Sequence, residues 1–356
     1  MRPRPGLTLS PLVVGLLLSL LSACGRAPLY QQESFVFGTR VEVLIAGLDD
    51  ASARPAAAAV LREFDRLHRT YHAWQPSDLS TLNAAIAAGR EIGVTPEMVA
   101  LLRDAQHWSA ESDGLFDPGI GGLIRLWGFQ SDEFATALPD PAALAAWRAA
   151  KPGIADLRID GDRVSSRNPA VALDFGGYLK GVALDRAAAI LHAQGVHDAL
   201  INIGGNVMAL GSKNGQAWRV GIQHPRQPGP LATVELRDGE AIGTSGDYQR
   251  YFELDGQRYC HLLDPRSGAP VQHTQALTVL VAPRPDAGTL SDVASKPLFI
   301  AGAQWPALAV KMQVGAVLRV AADGQVQVSS TLSPRLEFVD GPPPALEIVE
   351  ILGIAD

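Results

Sequence analysis

The chain has 356 residues, of which 47% are apolar and 19% charged, with a formal net charge of −7. That supplies a substantial core for one large domain or two intimate lobes and excludes a chain disordered throughout. No block of Lys and Arg provides the basic footprint of a phosphate-neutralising surface, so nucleic acid is not an expected partner.

The first segment reads as an export signal rather than as fold. Arg2 and Arg4 make a basic start, and residues 7–21 form an apolar run too short for a stable spanning helix. Leu21-Ser22-Ala23-Cys24 then places small residues ahead of a cysteine. This is similar to a bacterial lipoprotein signal, in which residues 1–23 are removed and Cys24 carries lipid; the alternative is an ordinary signal with Cys24 a bystander. Several acyl chains on one residue anchor firmly, at about 0.8 kcal/mol per buried methylene. Residues 24–33 are expected as a tether and 34–356 as the folded domain. With Cys24 lipidated, Cys260 has no partner for an internal disulfide. It reads as a packed small residue in a strand-like run over 257–263.

Residues 34–45 alternate apolar and polar and predict a strand, interrupted at Gly38. Residues 51–71 have a helical period, with Val60, Leu61, Phe64 and Leu67 on one face. The run 74–83 reads as a turn and short loop. Thr95-Pro96-Glu97 predicts a helix start, and Asp113-Gly114 its stop. A helix is expected over 140–150, then a hairpin around Asp160-Gly161, a strand over 170–175 and an amphipathic helix over 181–194. From Asp198 onward strands dominate, with a helix from about 290 to 302. Antiparallel strands with interspersed helices give an α+β class in one domain.

Four segments rich in glycine and aspartate carry the candidate chemistry. In Phe116-Asp117-Pro118-Gly119, continued by Ile120-Gly121-Gly122-Leu123, bare backbone can approach a ligand closely, or make a tight buried turn. Leu173-Asp174-Phe175-Gly176-Gly177-Tyr178-Leu179-Lys180-Gly181 brings a Gly pair to a helix start. Free N–H groups and the helix dipole favour an anion there, and Lys180 adds a cation. The phosphate-loop spacing is absent. Gly243-Thr244-Ser245-Gly246-Asp247 reads as a hydroxyl-rich turn, and in Tyr259-Cys260-His261-Leu262-Leu263-Asp264-Pro265 an imidazole ends a strand. On a helix, Asp292, Ser295 and Lys296 share one face at i, i+3 and i+4. Asp with a hydroxyl oxygen suits a hard cation such as Mg²⁺; Ser291 and Asp292 also make an ordinary helix start.

In this order, and with Phe37-Gly38-Thr39 and the run from Trp74 to Asn83, these segments resemble the ApbE family of flavin transferases over nearly all of residues 34–356. The resemblance implies an α+β fold of the ApbE (T-fold-like) type, FAD in a cleft and Mg²⁺ near its diphosphate. By motif it assigns Phe37, Trp74, Leu115, Phe116 and Asp117 to the flavin or adenosine contacts and Asp174 and Lys180 to the cofactor. The Gly177 carbonyl and the Asp292 carboxylate would hold the metal. His261 matches the base that takes the proton of an acceptor threonine, with Lys180 beside it in catalysis; FMN is attached to the acceptor and AMP leaves. Acceptors of this kind belong to membrane electron-transfer complexes, which places the protein on the periplasmic face of a bacterial membrane, inner rather than outer. Hydrolysis of FAD to FMN and AMP, or an FAD-binding accessory lipoprotein with little catalysis, are the other readings.

Two positions depart from the family pattern. Lys296 stands where a threonine ligand is usual, which leaves two pictures. Either Ser295 supplies the oxygen to Mg²⁺ and Lys296 reaches a phosphate, or the ammonium takes the ion's place and pairs with Asp292. Pro297 removes a helix N–H and is expected to distort the turn. Gly119 stands where the family often has threonine.

Overall fold

The computed structural model describes residues 28–131 and 136–353; Cys24 and the signal-like segment lie outside them. Among the described residues, a nine-stranded sheet is laid down almost in chain order: β1 (Leu29–Val36), β2 (Thr39–Ala46), β3 (Ala199–Ile203), β4 (Asn206–Leu210), β5 (Ala241–Gly246), β6 (Thr274–Val281), β7 (Ala316–Ala321), β8 (Val326–Ser329) and β9 (Leu346–Val349). Neighbours are antiparallel except β8 and β9, which run parallel. The helices are α1 (Asp50–Thr70), α2 (Asp78–Ala87), α3 (Pro96–Glu111), α4 (Gly121–Leu126), α5 (Pro141–Ala150), α6 (Leu179–Ala193), α7 (Ala287–Ala301) and α8 (Trp305–Lys311).

The period of two along each strand sorts side chains onto two cores. Val41, Val43, Ile45, Ile201, Leu277 and Val279 face the helices and pack with Phe64, Leu184 and Val293. Ala46, Ala209, Ala276 and Leu318 face the other way, onto a three-stranded sheet that contributes Trp218, Ile222, Val234 and Leu236. β6 is buried along its whole length because it has a core on both faces.

Several elements differ from the sequence expectation. Leu29 already pairs with Ala46, so residues 29–33 of the expected tether belong to the sheet, and the run 34–45 is a hairpin turning at Phe37-Gly38. The loop expected over 74–83 contains the start of α2, capped reciprocally: Ser77 Oγ accepts Ser80 N–H at 3.0 Å and Ser80 Oγ accepts Ser77 N–H at 2.8 Å. A serine in place of the usual Glu or Gln hides this capping box in the sequence. The strand expected over 170–175 reduces to one bridge, Ala172 to Ile120. The run 257–263 breaks at His261 into Gln257–Cys260 and Leu263–Asp264. Thr244-Ser245-Gly246 is the end of β5, not a turn.

α7 is the element that sets the site, and glycine lets it lie close. An alanine Cβ at Gly243 of β5 would stand 2.3 Å from Ser291 O. One at Gly181 of α6 would stand 2.5 Å from Gly288 O and 2.7 Å from Asp292 Cβ. α7 starts at Ala287 because Asp185 of α6 accepts the N–H groups of Gly288 and Thr289 at 2.7 and 2.9 Å and the Thr289 hydroxyl at 2.6 Å. Pro297 does not interrupt it: the helix runs on to Ala301, with the proline ring buried.

Candidate active site

A cleft of about 1060 Å³ opens beside the β1–β2 turn, between the helix layer and the segments after β5. Its size is at the upper end of the range of small-molecule pockets, about 300–1,000 Å³. One wall is a row of rings: Phe37 lies 5.7 Å from His68, His68 5.0 Å from His72 and His72 5.7 Å from Trp74, centroid to centroid. Phe37 holds φ at 56° and Gly38 at 69°, the left-handed pair of a two-residue hairpin turn. A bulky residue in that region costs about 1–3 kcal/mol, and such strain collects at functional sites. His72 Nδ1 accepts the N–H groups of Trp74 and Gln75, both at 3.1 Å, which fixes the start of the Trp74 loop.

Asp174 orients the indole. Its Oδ2 accepts the Trp74 Nε1 hydrogen at 3.0 Å and its Oδ1 accepts the Gly176 N–H at 2.8 Å. Burial pushes the carboxyl above its ordinary value, against those hydrogen bonds. The Arg250 guanidinium stands 5.5 Å from the Trp74 ring centroid and also donates to the carbonyls of Phe129 and Ser131 at 2.9 and 3.0 Å. Trp74 thus presents a held aromatic face with a cation above it.

His261 lies deeper in the cleft, at the break between the two short strands. Its Nδ1 is 3.2 Å from the carbonyl oxygen of Arg250. A carbonyl only accepts, so Nδ1 carries the proton and Nε2 keeps its lone pair, with no partner among the described residues. Burial, then the charges of Arg250, Lys180 and Lys296, push the imidazole down to about 3, so it is neutral at physiological pH. Cys260 beside it is buried, its thiol pushed up to about 12 by burial, and it is chemically inert packing.

Lys180 and Lys296 complete the cationic floor. Lys180 sits in the first turn of α6, next to the Gly176-Gly177 turn, and lines the cleft with no ion-pair partner among the described residues. Lys296 donates to both the carboxylate and, at 2.7 Å, the carbonyl of Asp292. The other Asp292 oxygen accepts the Gly181 N–H at 2.9 Å. Burial opposes charge on the fully enclosed Asp292, yet the two lysines outweigh it and hold the carboxyl below its ordinary value. Ser295 Oγ donates to the Asp292 carbonyl at 2.8 Å and lies 2.8 Å from Ser245 Oγ. Of the two pictures that the sequence left open, the geometry is the one in which Lys296 pairs with Asp292. Of the donors expected for Mg²⁺, the Asp292 carboxylate and Ser295 are committed to Lys296, Gly181, Ser245 and the Asp292 carbonyl, and the Gly177 carbonyl that remains does not by itself fit a divalent ion; no group of three His, Cys, Asp or Glu gathers among the described residues.

The ApbE family matches over residues 37–318. The chain belongs to this family. It is 43% identical over 320 residues to an FAD:protein FMN transferase of Rhodobacter capsulatus, covering 90% of this chain and 60% of that protein's length. It is 31% identical to one of Treponema pallidum, covering 92% of this chain and 96% of the relative. Among solved structures, the ApbE protein of Thermotoga maritima superposes with a TM-score of 0.78 at 28% identity, over 86% of this chain and 99% of that one. The apo flavinyl transferase ApbE of Pseudomonas stutzeri gives 0.75 at 30% identity, over 88% and 98%. The fold is the α+β fold of the ApbE family.

Against that family pattern, the structure brings Phe37, Trp74, Leu115, Phe116, Asp117, Asp174, Gly177, Lys180, His261 and Lys296 to one cleft. Asp292 and Ser295 stand behind Lys296, fully buried. Asp117 is a knot more than an open ligand. Its Oδ1 accepts the N–H groups of Gly119 and Ile154 at 2.7 and 2.9 Å, and burial pushes the carboxyl up to about 6. This closure explains Gly119, since a Cβ there would stand 2.5 Å from Ile154 N. Sequence reasoning missed Arg250, His68 and His72. His68 lies in the last turn of α1 and His72 just beyond its end, so no helical spacing marks the pair, and nothing local marks Arg250, whose role depends on Trp74 lying 176 positions earlier in the chain.

Proposed function

We propose that this chain is an FAD:protein FMN transferase. It binds FAD in the cleft and moves the FMN half onto a threonine hydroxyl of an acceptor protein, with release of AMP. The observation that carries this reading is the neutral His261, whose Nε2 has no partner among the described residues, in one cleft with Lys180, Lys296 and Arg250. An alcohol is a poor nucleophile, and a neutral imidazole is the side chain suited to take its proton near pH 7. The acceptor oxygen attacks the FMN-side phosphorus as its proton passes to Nε2. The bond from that phosphorus to the bridging oxygen breaks, and AMP departs with the bridging oxygen. The lysines and Arg250 offset the charge on the phosphoryl oxygens, and such electrostatic stabilisation usually does most to speed phosphoryl transfer. The diphosphate itself raises the imidazole's proton affinity on binding, because it sets anionic charge against the cations that depress it. Trp74 and the Phe37–His68–His72 row give aromatic faces for the flavin or adenine ring.

The acceptors of this reading are subunits of membrane electron-transfer complexes, and the enzyme reaches them from a lipid anchor on Cys24 at the periplasmic face of a bacterial membrane, inner rather than outer. The Leu21-Ser22-Ala23-Cys24 run after a short apolar segment supports the anchor.

The test mixes the purified protein, FAD and a threonine-bearing acceptor domain from such a complex, and follows in-gel flavin fluorescence and AMP. Flavin on the acceptor with matching AMP is the expected result. His261→Ala should lower the rate about 100- to 10,000-fold with FAD affinity retained. AMP without labelled acceptor would make the protein an FAD pyrophosphatase, and FAD binding without turnover an accessory flavin-binding lipoprotein.

A further inference from the structure

The cation of this site is built into the chain. We infer that the Lys296 ammonium is the resident positive charge at the diphosphate position, so that FAD binds here without a divalent ion held by the protein. The inference rests on the FAD reading above and concerns how the same site neutralises its substrate.

Three observations lead to it. First, the side-chain oxygens expected around a metal, those of Asp292 and Ser295, are already engaged, which leaves the Gly177 carbonyl as the one expected donor without a hydrogen bond among the described residues, and a single neutral carbonyl does not hold a divalent ion. Asp292 gives one carboxylate oxygen to Lys296 and the other to the Gly181 N–H, and Ser295 is tied to Ser245 and to the Asp292 carbonyl. Second, Lys296 is fixed, not mobile. Its stem lies against Gly177, where a Cβ would come 3.4 Å from the lysine Cε, and its ammonium is held by two Asp292 oxygens one turn back on α7. Third, the ammonium has three donors and Asp292 uses two of them, on a residue that lines the cleft beside Lys180 and the first turn of α6. One N–H therefore remains for an incoming phosphoryl oxygen. A carboxylate–ammonium pair in place of a carboxylate–metal pair also changes the charge at this point from net positive to neutral. Lys180 and the α6 N-terminus then supply the net attraction for the anion.

The test uses the whole protein and reads binding, not turnover. FAD is titrated by flavin fluorescence in EDTA and in excess MgCl₂, and Mn²⁺ alone is titrated into FAD-free protein by electron paramagnetic resonance. The native protein should bind FAD equally in both buffers and should hold no stoichiometric Mn²⁺. Lys296→Met should weaken FAD by about 10- to 150-fold, the range for one hydrogen bond to a charged group, with no rescue by Mg²⁺. Lys296→Thr frees the Asp292 oxygen and adds a hydroxyl, so its FAD affinity should fall in EDTA and recover in MgCl₂. Circular dichroism checks that each variant is folded; the native measurements decide the matter even if neither is. A tenfold or greater tightening of native FAD binding by MgCl₂, or one Mn²⁺ bound per native chain, overturns the inference and leaves the transferase reading standing. Native protein that binds no FAD in either buffer overturns both.

Discussion

The close crossing of α6 on α7 offers a perturbation whose size can be worked out in advance. In Gly181→Ala, the new Cβ would lie 2.5 Å from Gly288 O, 2.7 Å from Asp292 Cβ and 2.7 Å from Thr289 Cα. Restoring an ordinary carbon–oxygen contact of about 3.3 Å requires the helices to part by roughly 0.8 Å. That shift stretches the 2.9 Å bond from Gly181 N–H to the Asp292 carboxylate beyond hydrogen-bonding range. Overpacking costs about 1–3 kcal/mol, and the lost bond to a buried carboxylate about 1.5–3 kcal/mol. The better helix propensity of alanine offsets about 1 kcal/mol. The net loss is about 1.5–5 kcal/mol, which lowers Tm by roughly 3–10 °C in a domain of this size. Because Asp292 holds Lys296, the same variant should also bind FAD more weakly. Thermal melts by circular dichroism and an FAD titration check both effects. A Gly181→Ala protein that melts at or above the native temperature would refute the reading of this contact, since propensity alone would then govern the site.

Asp117→Asn keeps an acceptor for the Gly119 and Ile154 N–H groups and should melt within a few degrees of native at pH 7, whereas Asp117→Ala leaves both unsatisfied and should lose about 1–3 kcal/mol; equal losses would show that the charge, not the hydrogen bonding, matters. Glu97 is held down to about 2 by its hydrogen bond from Arg66, helped by Arg186, below its ordinary 4.5. Its contribution to stability is therefore full above about pH 4.5 and lost as pH falls through about 2, and Glu97→Gln should flatten the stability curve across that window in acid melts. An unchanged slope would remove Glu97 from acid unfolding. Cys24→Ser should release the protein from membranes or leave it unprocessed, read by fractionation and N-terminal mass; normal processing with retention on the membrane would end the lipoprotein reading.

Local pattern determined much of this protein. The apolar strand-forming runs of β3 to β6, the helical period of α1 and α6 and the end signals of α3 are local properties of the chain, so their existence was legible even where their ends were not. The motifs around Asp117, Asp174, His261 and Asp292 were legible too, because their order along the chain resembles that of one family; only at Asp174, where Gly176-Gly177 precedes a helix start, does the local sequence itself offer bare backbone to an anion. What only the tertiary structure decided is what those residues touch. Asp185 caps α7 from 103 positions earlier in the chain, Arg250 finds the face of Trp74, and Gly119 is a glycine because the segment at Ile154 closes over it. Lys296 is the clearest case. Its spacing from Asp292 permitted an ion pair or a metal site equally. Only the packing of Gly181 and Ser245 against α7, which engages the second Asp292 carboxylate oxygen and the Ser295 hydroxyl, selects the ion pair.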